Sequence, residues 1–273
     1  MPQIDSNGIS LGYTDSGGDG RPVVVLIHGW PLSGASWSEQ VPALVEAGHR
    51  VITYDRRGFG DSDKPENGYD YDTFAADLAG LLDGLDLRDV TLVGFSMGGG
   101  EVARYIGSYG EDRIQSAVFA GAVPPYLLKT DDNPDGGLGE DDVKGMEQGA
   151  SADREGFLEQ FTTGFFSAGG ELRVTEEQRQ DALALERPAR DEALLGCIGA
   201  FGRTDFRNDL ESITVPTLVI HGDSDAIVPF EVSGKRTADS ISGSSLVVVE
   251  GGPHGINVSH VDEFNRALLE FLG

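Results

Sequence analysis

Cysteine is almost missing from this chain. Cys197 stands alone in 273 residues, so no disulfide can close within the chain. No His or Asp pattern is laid out around it, and it reads as a buried apolar residue. Long apolar runs are missing too. The longest, Val23–Ile27, is far short of the roughly 20 residues that a membrane span needs. The first residues, Met1-Pro2-Gln3-Ile4-Asp5-Ser6, carry no basic segment followed by an apolar one, so no secretory signal is expected. These absences point to a cytoplasmic protein that makes no membrane contact.

Positive charge is scarce. Lys and Arg total 20 against 46 Asp and Glu, a net charge of −26. Lysine occurs only at Lys64, Lys129, Lys144 and Lys235. A nucleic-acid partner is excluded, because no basic stripe exists to neutralise phosphates. Charge of one sign also repels itself in the compact state. Molar salt shortens the screening length to about 3 Å and removes that penalty. We therefore expect a halophilic protein that works in a salty cytoplasm.

What remains is an ordinary globular composition, with 39% apolar residues and 24% charged ones. Length permits two small domains or one large α/β domain. Strands are expected at Ile9–Asp15, Val23–Ile27, Arg50–Asp55, Val90–Phe95, Ile114–Gly121, Val215–Ile220 and Ser245–Val249. Several are apolar on both faces, which marks strands buried between helices in a parallel sheet. Helices are expected over Ser36–Ala47, Thr73–Leu85 and Val261–Leu272, with another beginning near Met97. The alternation predicts a doubly wound α/β sheet. It breaks between Val123 and roughly Asn208, where a Gly/Asp-rich linker (Asp131 to Asp142) is followed by helical patterns and no convincing buried strand. Residues 123–208 are read as a helical cap inserted into a core formed by 1–122 and 209–273.

The chemistry centres on Gly94-Phe95-Ser96-Met97-Gly98. An apolar strand runs into Gly-x-Ser-x-Gly and then into a helix, the arrangement of a nucleophile elbow. A serine needs a base beside it, and the base needs an orienting acid. In such a fold the acid and then the base follow later strands. The strand ending at Ile220 runs into His221-Gly222-Asp223-Ser224-Asp225, and the strand ending at Val249 runs into Gly252-Pro253-His254-Gly255. Ser96, one of the two aspartates and His254 can therefore converge at the carboxyl ends of the strands. Asp225 lies further out on its loop than Asp223 and is favoured as the acid; Asp223 is expected to make local loop hydrogen bonds. His28 and His221 are expected to bond backbone, His49 to sit on the surface, and His260 to be structural. Two oxyanion donors are required. They are expected from the backbone of Met97 and from Trp30, after the first buried strand. Phe161, Phe165, Phe166, Phe201, Ile227 and Val228 are candidates to line an apolar pocket. No zinc spacing, dinucleotide fingerprint or phosphate loop is present, so no metal and no cofactor is expected.

These stretches, together with His28-Gly29-Trp30-Pro31, Tyr54-Asp55-Arg56-Arg57-Gly58-Phe59-Gly60-Asp61-Ser62 and Ile227-Val228-Pro229, resemble the α/β-hydrolase superfamily. Within it they resemble the cofactor-free (non-haem) chloroperoxidase, perhydrolase and aryl esterase family. The resemblance implies an eight-stranded, mostly parallel sheet with an inserted cap, a triad of Ser96, Asp225 and His254, and an oxyanion hole at Trp30 and Met97. It treats the Asp55–Gly58 loop as scaffold. It also implies a serine hydrolase acting on small carboxylic esters through an acyl-enzyme. Hydrogen peroxide in place of water would give a peracid that oxidises halide in solution. A lactonase, an amidase or a C–C bond hydrolase would use the same triad, and a non-catalytic ligand receptor would leave it idle. Dehalogenases and epoxide hydrolases of this superfamily carry aspartate where this chain has Ser96. The partners expected are a small-molecule ester, peroxide and halide, with assembly into a homo-oligomer left open.

Overall fold

Apolar alternation decides the architecture. A computed structural model describes residues 1–273. The chain opens with a hairpin of β1 (Gln3–Ser6) and β2 (Ile9–Asp15), joined at Asn7 and Gly8, both at positive φ. There follow β3 (Val23–Ile27), α1 (Gln40–Glu46), β4 (Arg50–Tyr54), α2 (Tyr71–Gly84), β5 (Val90–Phe95), α3 (Met97–Tyr109) and β6 (Ile114–Ala120). The next stretch is helical: α4 (Glu140–Ala152), α5 (Arg154–Phe165), α6 (Glu176–Glu186), α7 (Asp191–Arg203) and α8 (Arg207–Glu211). Its only strands are the two-residue pair β7 (Ser167–Ala168) and β8 (Glu171–Leu172). The chain closes with β9 (Thr217–Gly222), α9 (Gly234–Ser240), β10 (Ser245–Val249), α10 (Ile256–Ser259) and α11 (Val261–Leu272).

Eight strands form one sheet in the order β1-β2-β4-β3-β5-β6-β9-β10. All pairs from β4 to β10 are parallel, and β1 and β2 run antiparallel at one edge. The sheet is thus the eight-stranded, mostly parallel one expected. All five side chains of β3 are buried. Val24 and Leu26 pack with Trp37, Leu44 and Phe264 on the α1/α11 face. Val23, Val25 and Ile27 pack with α2 and α3 on the other. Val143, Leu194 and Ile198 from the inserted helices join that same cluster, so the insertion and the sheet share one apolar core. The acidic linker is ordered. Asn133, 2% exposed, donates to the carbonyls of Tyr126 and Leu128 and accepts from Arg236. No helix is long and apolar enough to cross a membrane.

Two local expectations fail. The first long helix does not begin at Ser36. Gly34–Trp37 forms a 3₁₀ turn and α1 starts at Gln40. Pro42 explains this, because it lacks an N–H and its ring would meet the carbonyl four residues earlier; it is tolerated only in the first turn. His49 is not on the surface but 7% exposed. Gly20 covers it, so closely that a Cβ there would meet the Gly48 carbonyl oxygen at 2.0 Å.

Candidate active site

The elbow is built by close backbone approach. A Cβ on Gly94 would lie 2.4 Å from the Gly98 carbonyl oxygen, and one on Gly98 would lie 2.5 Å from that of Ile27. Only glycine lets β3, β5 and α3 meet so tightly. Ser96 sits between them at φ 53° and ψ −119°, and is 6% exposed. Its N–H donates to Ala120 at 2.8 Å, and its carbonyl accepts from Gly99 and Val123.

The three residues expected to converge do so. Ser96 Oγ and His254 Nε2 are 2.9 Å apart, and His254 Nδ1 lies 2.6 Å from Asp225 Oδ2. Asp225 Oδ1 accepts the N–H groups of Ile227 and Val228 at 2.9 and 2.8 Å. Burial would raise the Asp225 carboxyl, but the His254 and His221 imidazoles beside it reverse this and hold it well below the usual carboxylate range. An ionised Asp225 that accepts from Nδ1 places the His254 lone pair on Nε2, facing the serine hydroxyl. Asp223 stays out of this chain. It does more than bond its own loop, because its Oδ1 also accepts from Gly251 N at 2.8 Å and so ties the Asp223 loop to the His254 loop.

Gly29 places the loop after β3 against the serine; a Cβ on it would be 3.1 Å from Ser96 Cβ. The backbone N–H of Trp30 has no partner within the protein, whereas its indole N–H donates to the Leu194 carbonyl at 3.2 Å. Met97 N–H opens α3, where an N–H finds none in the helix. His28, as expected, bonds backbone, and its role can be read from its protons. Nε2 accepts Arg56 N–H at 2.9 Å, so the ring proton is on Nδ1, which donates to the Gly29 carbonyl at 2.8 Å. That carbonyl shares a rigid peptide plane with Trp30 N–H, so His28 fixes which way the Trp30 donor points. Burial, with the Arg56 cation nearby, holds the His28 imidazole well below its ordinary range and keeps it neutral.

Arg56 Nε in turn pairs with Glu101 Oε2 of α3 at 2.8 Å, and its Nη2 donates to the His28 carbonyl. Tyr54 donates to the other Glu101 oxygen. Burial raises the Glu101 carboxyl, while the Arg56 cation and the Tyr54 hydroxyl favour its ionised form. Arg57 pairs with Asp77. The charged Asp55–Gly58 loop therefore braces the elbow from behind rather than entering the site. The sequence assigns the Arg56 loop to scaffold but does not reveal its pairing with Glu101, since nothing local to either shows that residues 45 apart are paired.

The inserted helices close the site with aromatic rings. Phe165 stands 4.9 Å edge-on from the His254 ring. Trp30 packs against Phe161 at 4.9 Å and Phe201 at 5.4 Å, and Phe157, absent from the expected set, joins them at 6.2 Å. Phe166 packs on Phe165 and faces a separate cavity of about 100 Å³ shared with Leu32, Leu185 and Asn257. Val228 is buried, and its backbone holds Asp225. Ile227 lies with Phe157 and Phe161 along an open groove of about 640 Å³ that Asp141 and Asp142 also line.

The family model for the alpha/beta hydrolase fold matches residues 22–261. The chain is 46% identical to the non-heme chloroperoxidase CPO-A1 of Kitasatospora aureofaciens, over 97% of both proteins. It is 35% identical to the bifunctional esterase/perhydrolase DCH of Acinetobacter calcoaceticus, again over 97% of both. The crystal structure of a bromoperoxidase from Bacillus anthracis superposes with a TM-score of 0.94 at 57% identity, covering 97% of this chain and 95% of that one. The chain therefore belongs to the α/β-hydrolase fold family and is an enzyme of its non-heme haloperoxidase type.

Proposed function

We propose that this enzyme hydrolyses small carboxylic esters through an acyl-enzyme on Ser96, and that hydrogen peroxide can replace water in the second half of the cycle. His254 takes the Ser96 proton as Oγ attacks the ester carbonyl. The N–H groups of Met97 and Trp30 receive the oxyanion, Asp225 stabilises the imidazolium, and His254 returns the proton to the departing alcohol. Water then attacks the acyl-enzyme to release the acid. Peroxide attacking the same carbonyl releases a peracid and free Ser96, and the peracid oxidises halide outside the site.

The observation that carries this reading is the unbroken chain from Ser96 Oγ through His254 to Asp225. The Acinetobacter relative, named for both esterase and perhydrolase activity, supports the two acceptors. The aromatic closure over Trp30 and His254 favours a small acyl group. Residues 123–208 act as the substrate-shaping cap. Hydrolysis of p-nitrophenyl acetate tests the mechanism: Ser96→Ala should lose at least about a thousandfold in kcat, and full turnover by that variant would end it. Peroxide-dependent halogenation in acetate buffer, abolished by the same substitution, tests the perhydrolase half.

A further inference from the structure

We infer that His221 is a positioning residue for Asp225, one that fixes the orientation and basicity of the carboxylate serving His254. This rests on the reading of Ser96, His254 and Asp225 as a triad. His221 lies on β9, four residues before Asp225, and is wholly buried. Its Nε2 is 2.8 Å from the Val228 carbonyl oxygen and 3.3 Å from Asp225 Oδ2. A carbonyl only accepts, so Nε2 carries the ring proton.

The other nitrogen, Nδ1, has no partner. The start of α9 closes it off, since a Cβ on Gly234 would come within 2.4 Å of it. A second proton there would be an unpaired buried charge. His221 therefore donates from Nε2, in the one tautomer its surroundings accept. Its titratable neighbour is Asp225 and, through it, His254. The Phe230 ring at 5.8 Å and Gly234 bring no charge.

The loop from Asp225 to Val228 is thus pinned at both ends. Val228 N–H holds Asp225 Oδ1, while the Val228 carbonyl is held by His221. The His221 N–H also stands beside the oxygen that accepts from His254. Removing it frees the loop, makes Asp225 more basic and so makes His254 hold its proton more tightly.

The test measures kcat and KM for ester hydrolysis across pH in wild type, His221→Phe, His221→Gln and Ser96→Ala. Rates are normalised to sites titrated with a serine-reactive phosphonate. His221→Phe should lower kcat about tenfold with KM nearly unchanged, and should move the acid limb up by about half a pH unit. His221→Gln, whose amide donates from the same place, should regain most of both. The proposal is overturned if His221→Phe matches wild type. It is equally overturned if both variants lose kcat alike with the acid limb unmoved, which is the mark of a purely structural role. If His221→Phe yields no titratable sites, His221→Asn, whose shorter amide does not reach Val228, takes its place under the same criteria. Failure of the triad reading looks different, since Ser96→Ala would then keep turnover whatever His221 does.

Discussion

Glu186 ends α6 buried in the cap, 1% exposed, with its Oε2 2.8 Å from Thr162 Oγ1 of α5. The Thr162 hydroxyl donates toward both that carboxylate and the Leu158 carbonyl, the latter at 2.7 Å. Burial, only partly countered by Thr162 and Arg179, pushes the carboxyl up from 4.5 to about 8. An acid held more tightly when folded lends stability that is complete below its unfolded value. That stability is lost as pH rises through the folded one, here between 4.5 and about 8. Each tenfold in proton affinity is worth about 1.4 kcal/mol, so the loss across that window is roughly 3–5 kcal/mol once local relaxation is allowed for. Glu186→Gln keeps a carbonyl oxygen that accepts from Thr162 and cannot ionise. Urea unfolding should give the two proteins similar stability near pH 5 and the variant an advantage of roughly 3–5 kcal/mol near pH 9. Thr162 lies between Phe161 and Phe165 on α5, so the wild type should also lose kcat at alkaline pH relative to the variant. Parallel loss of stability in both proteins from pH 5 to 9 would refute the reasoning.

Three further outcomes are expected. Glu101→Gln leaves the Arg56 guanidinium uncompensated, with side chains only 1% and 0% exposed, and should cost about 3–5 kcal/mol in urea unfolding. Arg56→Met with Glu101→Leu should cost far less than the two single changes added together, and strictly additive losses would deny the buried pair. Asp225→Asn should lower kcat about 10⁴-fold with the fold intact, while Asp223→Asn stays within about tenfold; the reverse order would move the acid to Asp223. The melting temperature should rise between low salt and about 2 M KCl as screening relieves the −26 charge, and a flat or falling curve would remove the halophilic reading.

The central strands were legible because β3, β5 and β9 are apolar on both faces, a pattern that surface chemistry does not imitate. β1 was not, although Asn7-Gly8 is a strong hairpin signal. Its four residues sit at the sheet edge, where only Ser6 is buried, so apolar patterning is weak. α9 escaped for a similar reason: only Gly234 and Thr237 of its seven residues are buried, which leaves no apolar stripe to read. The Ser, Asp, His order was legible because each residue follows a strand, and strand ends are visible in sequence. The bracing groups were not. Arg56 with Glu101, and His221 with Val228, owe their roles to which atom meets which across the fold, and spacing carries no proton positions.

Ser96 shows what that bracing accomplishes. A non-glycine residue at φ 53° is strained by about 1–3 kcal/mol and persists only where its surroundings over-determine it. Here its N–H is bound by Ala120, its carbonyl by Gly99 and Val123, and its neighbours at Gly94, Gly98 and Gly29 leave it no room to relax. The buried Arg56–Glu101 pair then ties α3 to the His28 carbonyl, so the two proposed oxyanion donors, Met97 on the helix and Trp30 on the loop, are fixed to one frame. The proposed nucleophile and donors, held this rigidly, would have little freedom to adapt to different acyl groups. On the proposed mechanism, discrimination would then fall to the parts that are not in the frame, the rings of Phe157, Phe161, Phe165 and Phe201 carried on α5 and α7. Those helices also contain Thr162, whose partner Glu186 titrates, so acyl preference and alkaline sensitivity should change together when the cap is altered and leave the elbow unchanged.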